Sequence, residues 1–495
     1  MRYTSTRSQK EAFVSAAEAI KNGLAPDGGL YMPETIPSLS LAELEDLLDC
    51  SYPERAAYVF SKFLTDYSVG EILSDTHAAY GEDRFPGGAA PIRPIDDTVT
   101  ALELWHGPTA AFKDMALQIM PRLLSRALGK TGEKRTALIL VATSGDTGKA
   151  ALEGYKDVDQ IKIKVFYPVD GVSRVQKLQM QTQTGDNVDV TAIRGNFDDA
   201  QSGVKAIFGD AATAAELNDE GVFLSSANSI NWGRLAPQIA YYVSAYCDMV
   251  KNGQIVLGDM VDICVPTGNF GNIFAAYIAK VMGLPFDKLI CASNQNNVLT
   301  DFLKTGTYDR NRHFYTTTSP SMDILISSNL ERLLYLVCGS EKTAAYMKEL
   351  NQKGVYSLAE EEIAKIKETF VGYCATEEEC AAAIKTAFDS HGYLCDTHTA
   401  VGYHAALLHK ETTGSTRKII LASTASPYKF AGSVYTALTG KAPTDELSAL
   451  DELASLTKTE IPAPLRDIGA RKVRFETTVD PVEMKASVLS FAKTV

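Results

Sequence analysis

The sequence predicts an α/β protein whose mainly parallel sheets are covered by helices on both faces. Three observations carry that expectation. From about Ile95 onwards, short apolar runs of strand length recur at 137–142, 161–167, 188–193, 261–265, 289–292 and 418–422. Longer segments with helical spacing lie between them. Two of the runs also end in a glycine-bearing turn that leads straight into a helical pattern, at 143–148 and at 266–272. Strand, glycine turn and helix in that order form the repeating unit of a parallel sheet.

Residues 1–95 read as a mostly helical leader. Phe13, Val14, Ala16, Ala17, Ala19 and Ile20 suggest one helix that ends near Asn22-Gly23. The segment 24–33 is a turn, with Pro26, Gly28 and Gly29 as breakers. Stretches 41–48 and 55–63 suggest further helices. The stretch 103–114, Glu-Leu-Trp-His-Gly-Pro-Thr-Ala-Ala-Phe-Lys-Asp, places a turn at Gly107-Pro108 just before Lys113. Lys113 then opens a helix defined by Met115, Ile119, Met120, Leu123, Leu124 and Leu128, with Gly129 as its stop. Pro121 lies inside that pattern and predicts a break near Met120. Residues 300–375 interrupt the α/β rhythm with a polar loop at 305–321 and a charged helix near 358–369. After Thr444 the chain is acidic, then carries Pro462 and Pro464, and is expected to pack as an appendage.

The 495 residues allow more than one domain and a large core. The formal net charge is −13 and no basic run occurs, so nucleic acid is not expected as a partner. An anionic ligand would need a local cation or a cluster of N–H groups. No apolar run is long enough to span a bilayer, and the first residues lack an apolar signal core. Eight scattered cysteines form no C-x-x-C pair, so reduced, partly buried thiols and a cytoplasmic protein without a metal are expected. A monomer or small homo-oligomer fits.

Several stretches carry chemistry. A lysine packed between Phe112 and an apolar helix is partly desolvated, which favours the neutral, nucleophilic amine. An ordinary first-turn lysine fits those residues as well. In 266–272, Pro-Thr-Gly-Asn-Phe-Gly-Asn, Gly268 and Gly271 would let backbone approach a ligand while the following helix offers unpaired N–H groups to a phosphate. A plain tight turn is the alternative. The stretch Thr143-Ser144-Gly145-Asp146-Thr147-Gly148-Lys149 is not a Walker loop, because Thr143 stands at the first glycine position and Ala150 follows the lysine. It instead offers hydroxyl and N–H groups to a carboxylate. The stretch 225–234, Ser-Ser-Ala-Asn-Ser-Ile-Asn-Trp-Gly-Arg, sets five polar side chains before Arg234, whose fork suits a phosphate.

These stretches together resemble threonine synthases. The match runs from Tyr3 to about Phe430, in the family's order, and its most specific part is Leu104–Asp114, with His-Gly-Pro-Thr followed by Phe-Lys-Asp. Ser144–Gly148 matches the family's Ser-Gly-Asp-Thr-Gly. Residues 267–272 match its Ser-Gly-Asn-Phe-Gly-Asp, with Thr267 for Ser and Asn272 for Asp. Residues 225–234 match its Asn-Ser-Ala-Asn-Ser-Ile-Asn-x-x-Arg, with Ser225 for the first Asn. Residues 424–430 resemble its Thr-Ala-His-Pro-Ala-Lys-Phe, with Ser426 for His and Tyr428 for Ala. Asp396-Thr397-His398 resembles a further segment near the active site, although His398 is left outside the catalytic set.

The resemblance implies the type II pyridoxal-phosphate fold, similar to the tryptophan synthase β chain. It implies an amino-terminal domain at 1–95, a catalytic core at 96–445 with a mobile smaller part at about 135–235, and a carboxy-terminal extension at 446–495. Lys113 would carry pyridoxal 5'-phosphate and move protons. Gly268, Asn269, Phe270, Gly271 and Asn272 would seat the cofactor phosphate, and Thr424 would meet the pyridine nitrogen. Thr109, Ser144, Asp146, Thr147, Ser226, Asn228, Ser229, Asn231 and Arg234 would bind substrate. The implied reaction is that of a carbon–oxygen lyase acting on phosphates, turning O-phospho-L-homoserine and water into L-threonine and phosphate. A related phospho-lyase that releases a 2-keto acid, ammonia and phosphate is the alternative.

Overall fold

All six apolar runs become strands, and they divide between two sheets. The computed structural model describes residues 1–8, 12–170 and 172–493. The larger sheet has six strands in the order Phe370–Cys374, Phe286–Ser293, Val261–Pro266, Ile419–Ser423, Val99–Glu103 and Ile92–Pro94. Its pairs are parallel except the edge pair Ile92–Pro94 with Val99–Glu103. The smaller sheet is parallel throughout, in the order Thr478–Val479, Val188–Ile193, Ile161–Pro168, Thr136–Ala142 and Val222–Ser225. The strands Val261–Pro266 and Ile419–Ser423 are buried along their whole length, as sheets covered on both faces require.

Five strands of the two sheets escape the pattern of apolar runs, among them Val222–Ser225, Val99–Glu103 and Phe370–Cys374. Val222–Ser225 has four residues and ends on a serine, and Val99–Glu103 carries Thr100 and Glu103. Phe370–Cys374 follows the helix Glu360–Thr369 without an intervening turn, so no breaker announces it. The polar loop at 305–321 contains the short strand Thr307–Asp309, paired antiparallel with Val355–Ser357. The helix Leu330–Lys353, kinked at Gly339, fills much of the remaining interruption.

Pro121 has the expected effect. The helix Lys113–Leu117 ends, and a second helix, Met120–Lys130, begins with the proline in its first turn, where a missing N–H is harmless. The leader helices pack on the long, almost wholly buried helix Trp232–Lys251. Arg55 on the helix Tyr52–Phe63 donates to Asp248 at 2.6 Å, and the rings of Tyr3 and Phe63 both lie 5.6 Å from Trp232. This packing fixes the helix that bears Arg234.

The end of the expected appendage is instead built into the smaller sheet. Thr478–Val479 pairs with Ala192 and Ile193. The helix Met484–Ala492 lays Met484, Val488 and Ala492 against Leu138, Leu140, Phe166 and Ile193. An acidic stretch with prolines hid the apolar stripe that follows it. All eight cysteines are free, and Cys247, Cys264, Cys291, Cys380 and Cys395 are buried. Among the described residues no helix is long and apolar enough to cross a membrane.

Candidate functional site

Lys113 owes its place to the end of the strand Ile419–Ser423. Leu104 N–H donates to Ser423 O at 3.0 Å, Phe112 N–H to Thr424 O at 2.8 Å, and Ser426 N–H to Ala110 O at 3.1 Å. The two segments are thereby laced side by side. Asp114 closes the turn from within, accepting from Thr109 N–H at 2.8 Å and from the Thr109 hydroxyl at 2.7 Å. Burial pushes the Asp114 carboxyl up to about 6. Lys113 Nζ lies 3.4 Å from Ser321 Oγ, 3.8 Å from Asp146 Oδ2 and 5.1 Å from the centre of the Phe112 ring. Burial lowers the Lys113 pKa. Asp146 opposes that shift, while Lys429 and Arg234 add to it.

The loop after Val261–Pro266 enters the helix Gly271–Met282 through Phe270, whose φ of 63° lies in the left-handed region. A bulky residue there is strained. Its ring compensates by packing 5.5 Å from Phe370, which in turn lies 5.3 Å from Tyr277. Gly268 is required for close approach rather than for an unusual φ. A Cβ on it would sit 2.8 Å from the carbonyl oxygen of Ser321. At Gly271 a Cβ would meet the Asn329 side-chain amide at 3.3 Å, a milder conflict. Tyr241 and Tyr242 both donate to Asn272 Oδ1, which leaves Asn272 Nδ2 buried with no partner among the described residues. The loop is held from outside by Ser327 Oγ on Gly268 O at 2.7 Å and Asn329 N–H on Asn269 O at 3.1 Å.

Arg234 lies in the first turn of Trp232–Lys251. It donates through one terminal nitrogen to Ala227 O at 2.7 Å, while its Nε is buried with no partner among the described residues. No carboxylate among the described residues forms an ion pair with it, and burial pushes it down to about 10. Arg332, not Arg234, stands over the Trp232 ring, 5.7 Å from its centre.

Lys113, Thr147, Asn228, Ser229, Arg234, Thr424 and residues 268–272 meet around one cavity of about 110 Å³. Both sheets contribute to it at the ends of their strands, as open α/β sheets do. Five expected residues do not line it. Thr109 is buried, with its side chain committed to Asp114. Asn231 caps its helix, accepting from Gly233 N–H at 2.8 Å, and donates to Ile20 O at 2.8 Å. Ser226 accepts from Asn228 N–H at 3.2 Å, and Ser144 is exposed. Asp146 lies behind Lys113 and pairs with Lys429 at 2.7 Å. A polar side chain near a site in sequence can be spent on the local backbone, which a motif does not reveal.

The wall also holds Gln238, Ser321, Met322 and His398. Ser321 comes from the short turn Pro320–Met322, deep in the polar stretch. His398 accepts from Ser321 N–H at 3.1 Å through Nε2, and its Nδ1 lies 2.6 Å from Asp396. The spacing Asp396-x-His398 was the available signal for that contact. Ser426 caps the turn Pro427–Phe430 by accepting from Tyr428 N–H at 3.3 Å, so it braces the segment that delivers Lys429.

A cavity between two parallel sheets, with a buried lysine on one side and a glycine loop entering a helix on the other, defines a class. The chain belongs to the pyridoxal-phosphate-dependent enzymes of the type II fold, whose family model matches residues 94–424. Models for the threonine synthase N terminus and the threonine synthase C-terminal region match residues 2–80 and 399–488. The threonine synthase of Pseudomonas aeruginosa is 37% identical over 497 residues, covering 99% of this chain and 98% of that one. The chain is therefore a member of the threonine synthase family. It is also 41% identical to the human protein named threonine synthase-like 1, over 87% of this chain, and the match spans only 59% of that protein's length. Among solved structures, the pyridoxal-phosphate-bound threonine synthase from Brucella melitensis is similar with a TM-score of 0.88 at 36% identity, covering all of both chains. The yeast threonine synthase gives 0.88 at 33% identity, covering 99% and 98%.

Proposed function

We propose that this chain converts O-phospho-L-homoserine and water to L-threonine and phosphate, with pyridoxal phosphate as cofactor. The observation that carries the reading is a pair of buried donors without partners among the described residues, Arg234 Nε and Asn272 Nδ2, lining the cavity that holds the Lys113 amine. Buried N–H groups left open in this way suit anionic oxygens. The residues also fit the cofactor. Asn272 Nδ2 and the first N–H groups of the helix Gly271–Met282 face a phosphate seat, and Gly268 keeps the Ser321 backbone close against it. Thr424 would meet the ring nitrogen as a neutral partner, with Lys113 as the covalent attachment.

Bound there, pyridoxal phosphate supplies the electron sink that lets protons leave the α and β carbons of the substrate. The chain's own residues do the rest. Among the described residues Lys113 is the one lysine lining the cavity, and burial lowers its pKa, which favours the neutral amine that takes and returns protons at the α and β carbons. Ser321 Oγ steadies that amine. Arg234 grips the substrate phosphate through its fork. Thr147 and the turn 143–148 offer donors to the substrate carboxylate, with Asn228 and Ser229 beside them. At about 110 Å³ the cavity is smaller than the ~300–1,000 Å³ typical of small-molecule sites. The smaller sheet and its helices are thus read as a mobile part that opens for entry and closes to exclude water.

Cytoplasmic location, a monomer or small homo-oligomer, and the division at 1–95, 96–445 and 446–495 belong to the same reading. The deciding experiment is product analysis with O-phospho-L-homoserine, measuring threonine, phosphate and 2-oxobutanoate together. Threonine equal to phosphate supports the reading. Phosphate matched by 2-oxobutanoate rejects it in favour of the phospho-lyase.

A further inference from the structure

Asp146 poses an electrostatic problem for the turn 143–148. The turn offers donors to an anionic carboxylate, yet it carries a buried carboxylate of its own, 3.8 Å from Lys113. Left unbalanced, that group would repel an incoming carboxylate. It would also pair tightly with Lys113 and hold the amine protonated.

The counter-charge comes from the other sheet. Lys429 Nζ is fully buried, 2.7 Å from Asp146 Oδ1, and donates to Thr109 O at 3.1 Å. Gln176 Nε2 donates to the same Asp146 oxygen at 2.8 Å. One oxygen of Asp146 is thus held by two donors, and only Oδ2 faces Lys113, at longer range. The turn Pro427–Phe430, capped by Ser426, fixes Lys429 in place. We infer that Lys429 is a positioning residue: through its ion pair it holds Asp146 off Lys113 and cancels the charge of the turn that receives a carboxylate.

Other charged groups around Lys113 do not duplicate this role. Arg234 approaches from the helix Trp232–Lys251, Asp114 lies on its own helix, and His398 reaches the cavity wall from Thr397–Thr413 behind Ser321. None of them touches Asp146. Burial alone would raise the Asp146 carboxyl, but Lys429 and then Lys113 reverse that and hold it well below its usual range.

The inference rests on Lys113 as the cofactor lysine and on the turn as the carboxylate seat, so its test includes a readout that needs neither cofactor nor substrate. Full-length protein freed of cofactor is labelled with an amine-selective reagent across a pH series, and labelling of Lys113 is quantified by peptide mass spectrometry. Lys429→Met is expected to move the Lys113 midpoint up by about 1–2 pH units, because Asp146 then pairs with it alone. Its kcat/KM for O-phospho-L-homoserine at neutral pH should fall about tenfold or more. Asp146→Asn combined with Lys429→Met removes both charges and should return the midpoint to within about half a unit of the parent and restore most of kcat/KM. A midpoint that stays fixed in Lys429→Met, or a double variant as impaired as the single one, overturns the inference and leaves Lys429 a packing residue. Should Lys429→Met fail to fold, Asp146→Asn alone decides the matter. It should lower the Lys113 midpoint, since Lys429 and Arg234 then repel the amine with only Asp114 left to oppose them, and an unchanged midpoint overturns the inference. Visible absorbance of the parent with pyridoxal phosphate separately tests the cofactor reading.

Discussion

Arg234→Met should make the protein more stable and far less active. Arg234 is buried, has no carboxylate partner among the described residues, and is pushed down to about 10 by that burial. A base whose folded value is depressed is destabilising wherever it is charged in both states, so the penalty is present at neutral pH and is relieved only as pH rises through about 10. The shift corresponds to roughly 3 kcal/mol. Removing the guanidinium also deprives Ala227 O of its donor, a loss of about 1–2 kcal/mol. Methionine fills most of the vacated volume, so a net gain of about 1–2 kcal/mol is expected. In a chain of this length that raises Tm by about 1–2 °C. Two charge-assisted hydrogen bonds to a phosphate are worth about 1.5–3 kcal/mol each, so kcat/KM for O-phospho-L-homoserine should fall about 10²- to 10⁴-fold. Arg234→Lys retains the charge and loses the fork, and should show the smaller drop of about ten- to a hundred-fold without a rise in Tm. Calorimetry without substrate and steady-state kinetics on one preparation test both halves. A lowered Tm with kcat/KM close to the parent value would refute the reasoning and make Arg234 a structural residue.

Lys113→Ala should abolish both turnover and the visible absorbance of bound pyridoxal phosphate, and borohydride reduction of the parent followed by peptide mapping should place the adduct on Lys113 rather than Lys149 or Lys429. Gly268→Ala should weaken cofactor binding about five- to a hundred-fold, because its Cβ meets Ser321 O at 2.8 Å, whereas Gly271→Ala, facing an amide that can yield, should stay within about threefold; equal effects in a cofactor titration would count against the close-approach argument. Asp114 has its folded value raised to about 6, so the native state binds its proton more tightly than the unfolded chain does, and its contribution to stability falls as pH rises from about 4 to 6 and stays lost above. Denaturant melts of Asp114→Asn against the parent should therefore show an advantage of the variant that grows across that window, and a constant difference would argue against it.

The strands at 137–142, 161–167, 188–193, 261–265, 289–292 and 418–422 were legible because a strand buried on both faces must be apolar throughout. Val222–Ser225 and Phe370–Cys374 were not, since one is short and polar-ended and the other begins where a helix stops. At the site, Lys113, Arg234 and residues 268–272 sit in compact motifs whose glycines and charge drew attention. Lys429 lay in a quoted motif, but its meaning depends on Asp146, which opens a helix after a strand of the other sheet. Ser321 belongs to a turn whose only distinction is where the fold carries it. Thr109 and Asn231 show the converse, since their hydrogen bonds are local and a motif does not say which way a side chain turns.

The last strand of the smaller sheet has a consequence for how the protein is made. Ile193 pairs with Val479, roughly 290 residues further along the chain. At about 5–20 residues per second, a ribosome needs roughly 15–60 s to cover that distance. Throughout that interval Val188–Ile193 is a free sheet edge, and the apolar face of Leu138, Leu140 and Phe166 lacks the helix Met484–Ala492 that covers it. Nascent chains should therefore dwell in a chaperone-dependent state until residues 478–493 emerge, and premature release before that point would yield an aggregation-prone species rather than a slightly shortened enzyme.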